Sequence, residues 1–396
     1  MMAQEKPQEP LVTTEWILEN LSVTIIYKDF DISSLHFAPL HTIKKKVLPC
    51  FDTNKLVNEI YLPNREAHTI AEKVLSILLN SNVRRGSFSI IAKYIPIFLE
   101  KINRSIQSGQ PITLILPAMP HKKLSPITTG HSIDFVDLGE YLCFQQMKNI
   151  INSISKVYSG GVKIILVPDG VVLAHCFAEN DIDGILAYQN KLRNVCEELG
   201  LSSVIDIVDL QSIVLTDSRF IHVKEAIAQQ LYMLEETNED VRKGLDILKK
   251  AMFFNVPFSH SLAQHIDLMK RTRADVPANI LNKLDSAAVE YISIVLALKR
   301  LNLIEKAFPN GIRMSVHSKR VPSIPVNLIN DTSQIFPYNG VPVVRQIKYS
   351  RNHNLRTSTR IMRLYEVYNH PSVCAVYIKG QQEPFYYEIS SLREVV

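Results

Sequence analysis

Hydrophobic positions recur at helical spacing from Arg65 onward and alternate with short, continuous apolar runs. Apolar residues follow a period of about 3.6 in "REAHTIAEKVLSILLNS" and in "FSIIAKYIPIFLEKINRSIQS". Between such helical stretches lie runs typical of buried strands, namely "PITLILP", "VKIILVPDG" and "SSVIDIVDL". Buried strands that alternate with amphipathic helices predict βαβ units and a parallel sheet.

Two regions of the chain depart from this alternation. Residues 218–303 are nearly all helical in pattern, and after "FPNG" the chain forms short strand-like runs separated by turns. We therefore predict an α/β fold: a Rossmann-like parallel or mixed sheet flanked by helices, with a helical insertion and a β-rich C-terminal region. The predicted division is an N-terminal arm or lid over 1–64, a catalytic α/β core over 65–344 and a basic C-terminal extension over 345–396.

Composition and charge narrow the class of protein. Hydrophobic residues make up 46% and charged residues 21%, which is typical of a soluble globular protein. The net charge of +5 is mild and suits an anionic small molecule if the excess is local. The five cysteines form no CxxC and no zinc spacing, the N-terminus lacks the apolar core of a signal peptide, and no apolar run could span a bilayer. We expect reduced thiols in a cytoplasmic protein without a membrane segment.

Candidate chemistry lies where the predicted strands end. Ligands of an open parallel sheet bind beyond the carboxyl ends of its strands. The first strand is followed by His121, Lys122 and Lys123, and the second by Asp169. These residues either face a common crevice that binds an anion, or they are charged only because the buried strands reach the surface there.

A second candidate is "GIRMSVHS", in which Arg313, Ser315 and His317 alternate and so share one face of a strand. Arginine supplies a forked donor and histidine a titrating group, a combination suited to anion binding and proton transfer. Ordinary polar alternation on an exposed strand explains the same pattern. Separately, Arg84 and Arg85 lie between two helical segments, where a phosphate could meet the N-terminus of the second helix.

Several familiar motifs are missing, including GxGxxG, the Walker A loop, GxSxG and HExxH. His265 and Asp267 form one HxD that, with His317, could mimic an iron-binding triad. We discount it because the surrounding "SLAQHIDLMKR" has helical periodicity.

A set of motifs in fixed order carries a resemblance to a known family. The order is "ITLILPAMPHK", "DLGEYLCFQQMKNI", "VYSGGVKIILVPDG", "IRMSVHS" and "IFPYNG". Together they resemble the isocyanide (isonitrile) synthases of the pyoverdine/dityrosine biosynthesis protein family, over about Val74 to Val344. Lys122 matches the motif lysine, and Asp169 the aspartate of the D-G pair. Lys123 stands where the family pattern has a serine, and "FPYN" stands where the family often has proline, tryptophan and histidine.

The resemblance implies a reaction without a cofactor. The amine of an aromatic L-amino acid, tyrosine or tryptophan, condenses with the ketone of ribulose 5-phosphate, and one sugar carbon becomes the isonitrile carbon. The implied catalytic residues are Lys122, Glu140, Asp169 and His317. The implied substrate- and phosphate-binding residues are Arg84, Arg85, His121, Lys123, Arg313 and Ser315. A separate downstream tailoring oxygenase would complete a secondary-metabolite pathway, and no membrane partner is expected.

Two alternatives remain at this point. A non-catalytic relative that binds a sugar phosphate or an amino acid would explain the altered "HKKLSP" and "FPYN" motifs. A nucleic-acid-binding protein would explain the basic residues that collect between Arg313 and Arg363. Aromatic residues interleave with that basic segment too sparsely for a stacking surface, which argues against nucleic acid. The sequence does not distinguish which amino acid is used.

Overall fold

The structure is a computed structural model. It describes residues 12–24, 43–122, 128–177, 181–253, 278–316, 322–329, 335–348, 355–368, 370 and 372–390. The strands are β1 (Lys44–Leu48), β2 (Ile112–Leu116), β3 (Val162–Leu166), β4 (Ile205–Ile207), β5 (Ile312–Ser315), β6 (Ile324–Pro325), β7 (Val341–Lys348), β8 (Leu355–Met362), β9 (Val373–Ile378) and β10 (Tyr386–Ser390). The helices are α1 (Thr14–Thr24), α2 (Ile70–Leu78), α3 (Ser89–Ala92), α4 (Ile95–Gln107), α5 (Leu138–Ser155), α6 (Gly170–Leu173), α7 (Ile182–Glu198), α8 (Leu210–Val214), α9 (Phe220–Thr237), α10 (Glu239–Phe253), α11 (Ala278–Arg300), α12 (Leu303–Ala307) and α13 (Leu364–Tyr368).

The first sheet is parallel throughout and has the order β4-β3-β2-β5-β6. The chain runs outward from β2 through β3 to β4, and then returns to the other side of β2 to form β5 and β6. This change of direction makes the gap between β2 and β5 a topological switch point, where ligands of open α/β sheets bind. The predicted α/β fold with a parallel sheet flanked by helices is confirmed.

Alternate residues of the parallel strands face two separate cores. Leu114 and Leu116 of β2 pack among residues of α2, α4, α5 and α7. Ile115 points the other way and packs with residues of α1 and of the helices from α8 to α12. This alternation follows from the two-residue period of a strand. The predicted helical segment therefore covers one face of the sheet, with residues 254–277 outside the described part.

The second sheet combines segments from both ends of the chain in the order β1-β9-β10-β7-β8. Strand β1, from the predicted N-terminal arm, pairs in parallel with β9, and β10 pairs in parallel with β7. Strand β7 extends across position 344, where the sequence analysis places a domain boundary. The proposed division into domains stays a prediction.

Two backbone hydrogen bonds tie the second sheet and its helix to the loops of the first. Leu138 N donates to Phe385 O at 3.1 Å, and Leu364 N donates to Thr128 O at 2.9 Å. The C-terminal region therefore packs against the carboxyl edge of the parallel sheet. Among the helices that the structure describes, none has the length and hydropathy of a membrane span.

Candidate active site

The loop after β2 turns into the protein instead of out to solvent. Met119 is buried and has a φ of 61°, in the left-handed region that side chains other than glycine rarely adopt. Strain of this kind is often retained at functional sites. Lys122 directly follows the buried Pro120 and His121, and Lys122 N donates to Ile133 O at 3.1 Å. This bond directs the Lys122 side chain inward.

Lys122 lies at the centre of a buried group that we call the lysine cluster: Lys122, Asp137, Glu140 and Tyr188. Lys122 Nζ lies 2.7 Å from Asp137 Oδ2 and 2.8 Å from Glu140 Oε1. It also donates to Pro337 O at 3.0 Å. Tyr188 Oη donates to Glu140 Oε1 at 3.0 Å. None of these four side chains has exposed surface beyond a trace, so the lysine charge is balanced entirely by protein groups.

The N-terminus of α5 explains why two carboxylates can be buried together. Asp137 caps the helix by accepting from Gly139 N at 2.7 Å, and Glu140 Oε2 accepts from Asp137 N at 2.9 Å. This reciprocal capping box lies at the positive end of the helix, which stabilises negative charge. A Cβ on Gly139 would lie 3.0 Å from Pro337 Cβ. Glycine here allows the close approach that brings the Pro337 carbonyl to Lys122.

Burial and charge set the protonation of the cluster. Burial lowers the pKa of Lys122, but Asp137 and Glu140 outweigh it, so the pKa is raised overall. Burial raises the pKa of Glu140, but Lys122 outweighs it and the pKa is lowered overall. The pKa of Asp137 is raised by burial and by the adjacent Glu140, despite Lys122. Of the two carboxyl groups, Asp137 binds a proton more readily.

His131 joins the lysine cluster to a surface carboxylate. His131 Nε2 lies 3.8 Å from Asp137 Oδ2, and His131 Nδ1 lies 3.1 Å from Glu383 Oε2. Ser132 N donates to both Glu383 oxygens, at 3.0 and 3.1 Å. Burial lowers the pKa of His131 although Glu383 opposes this, so the ring is neutral near pH 7. The neutral ring therefore faces Asp137 with one nitrogen, at a separation too long for a hydrogen bond, and Glu383 with the other.

Asp169, at the end of β3, lies close to the loop that carries Lys122. It is half-buried and occupies the N-cap position of α6. A Cβ on Gly170 would lie 2.2 Å from Pro120 O, so the start of α6 touches the loop after β2. The two strand ends that the sequence analysis singled out are therefore neighbours.

Arg313 and Ser315 lie on the face of β5 that the helices of the second core cover. Arg313 is directly across from Ile115 of β2, and its Nη1 lies 3.1 Å from Glu305. The Arg313 side chain is 15% exposed, and its Nε is buried without a hydrogen-bond partner among the described residues. Ser315 is buried and pairs in register with Pro325.

Arg84 and Arg85 lie at the outer edge of the parallel sheet, beside β6. Arg84 forms a β-bridge with Val326, and Arg85 N donates to Pro325 O at 2.9 Å. The Arg85 guanidinium stacks 4.7 Å from the centre of the Phe336 ring. Arg85 therefore contacts β6 and Phe336, whereas Arg84 pairs with Val326 and lies 6.0 Å from the ring centre of Phe88, at the start of α3.

The predicted site residues thus divide into groups. The structure brings together Lys122 and Glu140, with Asp169 beside their loop and the fully buried His121 preceding Lys122. Lys123 and His317 lie outside the described residues, as do His265 and Asp267. Arg313 and Ser315 lie on β5, and the Arg84–Arg85 pair lies beside β6. All of these functional roles stay predictions.

Sequence reasoning missed four participants as candidates: Asp137, Tyr188, His131 and Glu383. Asp137 was signalled by its place as the first residue of the "DLGEYLCFQQMKNI" motif, three positions before Glu140. Within the described residues, no group of three or more His, Cys, Asp or Glu side chains is arranged to hold a metal ion.

Comparison with known proteins gives a family match and several relatives. A profile of the family described as pyoverdine/dityrosine biosynthesis protein matches residues 102–364. The L-tryptophan isonitrile synthase AmbI1 of Fischerella ambigua is 26% identical over 252 residues, which cover 62% of this chain and 74% of that protein. The L-tyrosine isonitrile synthase of Xenorhabdus nematophila is 23% identical over 232 residues, covering 58% of this chain and 66% of that protein.

One fungal relative and one solved structure extend the comparison. Isocyanide synthase A of Aspergillus fumigatus is 21% identical over 266 residues, covering 64% of this chain and 40% of that longer protein. The crystal structure of the PvcA protein from Pseudomonas aeruginosa superposes with a TM-score of 0.61 at 20% identity, covering 81% of this chain and 100% of that one. This last likeness establishes a shared fold.

Proposed function

Since the chain belongs to the pyoverdine/dityrosine biosynthesis protein family, we propose that it is an isocyanide synthase acting on an aromatic L-amino acid. The observation that carries the proposal is the buried lysine cluster at the carboxyl edge of the parallel sheet, in which Lys122, Asp137 and Glu140 come from the "ITLILPAMPHK" and "DLGEYLCFQQMKNI" motifs. The relatives named as isonitrile synthases for L-tryptophan and L-tyrosine support the same reaction class.

The proposed one-carbon donor is ribulose 5-phosphate. The amine of the amino acid attacks the sugar ketone, the carbinolamine loses water, and one sugar carbon stays on nitrogen. The rest of the sugar fragments, and phosphate is lost. This sequence needs a group that accepts a proton from the ammonium and a group that donates one to the leaving water. It also needs cationic partners for a phosphate dianion.

The chain has residues for each requirement. Asp169 lies at the end of β3, beside the loop that carries Lys122, and is half-buried, so it can exchange a proton with a bound substrate. Arg313, with one partly exposed carboxylate as its partner, can bind the phosphate. Lys122 is a positioning residue in this scheme, because its ammonium contacts protein oxygens and has no exposed surface. It keeps Glu140 ionised and holds the start of α5 against the Pro337 turn.

The altered "FPYN" motif favours one second candidate, a relative that binds the substrates without turnover. The contact that the structure shows there is made by the backbone carbonyl of Pro337, which does not depend on the side chains that follow. The substitutions at Tyr338 and Asn339 therefore leave the lysine cluster intact. We favour the enzyme for this reason. A secondary-metabolite role, a separate tailoring oxygenase and a cytoplasmic location belong to the same proposal.

A trapping experiment tests the activity. Purified protein is incubated with ribulose 5-phosphate and either L-tryptophan or L-tyrosine, and the product is trapped with an isonitrile-selective tetrazine for mass spectrometry. With uniformly ¹³C-labelled sugar phosphate, the adduct should gain the mass of a single ¹³C, because one sugar carbon is retained. Ribose 5-phosphate, which has no ketone, is the matched control. Absence of any adduct, together with a melting temperature raised by ribulose 5-phosphate, would support the binding-only relative instead.

A further inference from the structure

A cavity of about 450 Å³ lies between the loop that carries His131 and the C-terminal sheet. Its wall includes side chains from β1, α13, β9 and the turn before β10. The residues used below are Lys45, His131, Tyr368, Tyr377, Glu383 and Tyr387. Sites for small molecules typically measure about 300–1,000 Å³ and combine apolar or aromatic walls with a few polar groups.

The wall is rich in aromatic rings. The rings of Tyr368 and Tyr387 lie 6.5 Å apart at an interplanar angle of 84°, in an edge-to-face arrangement. Tyr377 lies on the neighbouring strand β9, and Lys45 Nζ is 5.6 Å from the centre of its ring. Aromatic faces and edges at such spacings can pack against a further ring.

The same wall carries one anion and one cation. Glu383 is held by Ser132 N and by His131 Nδ1, and its side chain is 28% exposed. Although burial raises the pKa of Glu383, its hydrogen bonds to His131 and Ser132 lower it overall, so the group is ionised. Lys45 supplies the positive charge from the edge strand β1. Aromatic rings, a carboxylate and an ammonium together complement a zwitterion that has an aromatic side chain.

We infer that this cavity is the subsite for the aromatic amino acid, with Glu383 binding its ammonium group and Lys45 its carboxylate. The identity of the ligand rests on the proposed function. The cavity also lies at the surface end of the line through His131, whose Nε2 is 3.8 Å from Asp137 Oδ2. The bound amine would thus lie next to the Glu383–His131 pair, whose other ring nitrogen faces Asp137.

In this arrangement the C-terminal extension contributes directly to binding of the amino acid. Lys45, Tyr377, Glu383 and Tyr387 all lie outside residues 102–364, the segment that the family profile matches. The choice of amino acid would then be made by parts of the chain beyond the shared motifs. In this respect β1 and β9 are components of the site.

Direct binding tests the subsite without turnover. Saturation-transfer NMR and calorimetry are run on the full chain with L-tryptophan, L-tyrosine and 3-(4-hydroxyphenyl)propionate, the last of which lacks the ammonium group. Glu383→Gln should weaken amino-acid binding about tenfold or more, since a charge-assisted hydrogen bond is lost, and leave the propionate unaffected. The matched control is Glu388→Gln on the same sheet, where Glu388 pairs with Lys46 and does not line the cavity.

The outcomes separate the two proposals. The subsite proposal is overturned if the wild type, Glu383→Gln and Glu388→Gln bind the amino acid with equal affinity. It is also overturned if Glu383→Gln forms the isonitrile with an unchanged KM for the amino acid. Either result would leave the proposed activity intact. Binding that depends on Glu383, without isonitrile formation, would support the subsite and count against the proposed reaction.

Discussion

Replacing Lys122 with methionine should destabilise the protein strongly. Its ammonium lies 2.7 Å from Asp137 and 2.8 Å from Glu140. At an effective dielectric constant of about 20, the contact with the ionised Glu140 contributes roughly 6 kcal/mol of attraction, against a desolvation cost of several kcal/mol per ion. Asp137, whose pKa is raised, contributes less. Removing the cation leaves two carboxyl groups buried next to each other. Broken buried pairs of this kind cost about 3–5 kcal/mol, a large part of a total stability of about 5–15 kcal/mol.

Urea unfolding measures this loss of stability. Two further variants serve as a control and as a test of compensation. Lys191→Met removes a cation whose ion pair with Asp134 is 46% and 32% exposed, so its effect should stay within about 1 kcal/mol. The double variant Lys122→Met/Glu140→Gln should recover at least about 1 kcal/mol relative to Lys122→Met, because the amide needs no counter-charge. If Lys122→Met matches Lys191→Met, or if the second substitution adds a further loss, the two carboxylates do not depend on the lysine as argued.

Three further predictions concern His131, Gly170 and Arg313. Burial lowers the pKa of His131 below 6.5, so the unfolded chain binds a proton there first and stability should fall as pH drops below about 6.5. In His131→Gln, the urea midpoint should therefore change less between pH 7 and pH 5 than in the wild type. An equal change in both proteins would contradict this. Gly170→Ala would place Cβ 2.2 Å from a loop carbonyl and should slow isonitrile formation about tenfold or more. Gly200→Ala, in open space at φ +69°, should cost only about 1 kcal/mol of stability and retain the rate. Arg313→Gln should raise KM for the sugar phosphate about tenfold, whereas Glu305→Gln should leave this KM unchanged or lower it. The same KM in Arg313→Gln as in the wild type would refute the phosphate role.

Local pattern is what made the parallel sheet predictable. The run of apolar residues in β2 and β3 needs both faces covered, and the helical periods on either side supply the cover. Adjacent strand ends then follow from topology alone. The contact between Gly170 and the loop after β2 agrees with that expectation for Lys122 and Asp169.

The burial of Lys122 was not predictable, because it depends on partners that converge only in three dimensions. A lysine after a strand is normally solvated. Here the carboxylates of the α5 capping box offset the desolvation cost of burying it. Glu383 was missed for a related reason. It is 251 positions from Ser132 in the chain, and no local period connects them.

The pairing of β1 with β9 also governs the order in which the protein can be completed during translation. Lys46 and Glu388, which form an ion pair across the second sheet, are 342 positions apart. A ribosome that adds about 5–20 residues per second needs about 20–70 s to synthesise that interval. During this time β1 has no partner strand, while β2, β3 and β4 can already pair. Three consecutive lysines, Lys44 to Lys46, give β1 a positive charge during this interval. Because like charges repel, β1 is protected from pairing with the same strand of another nascent chain.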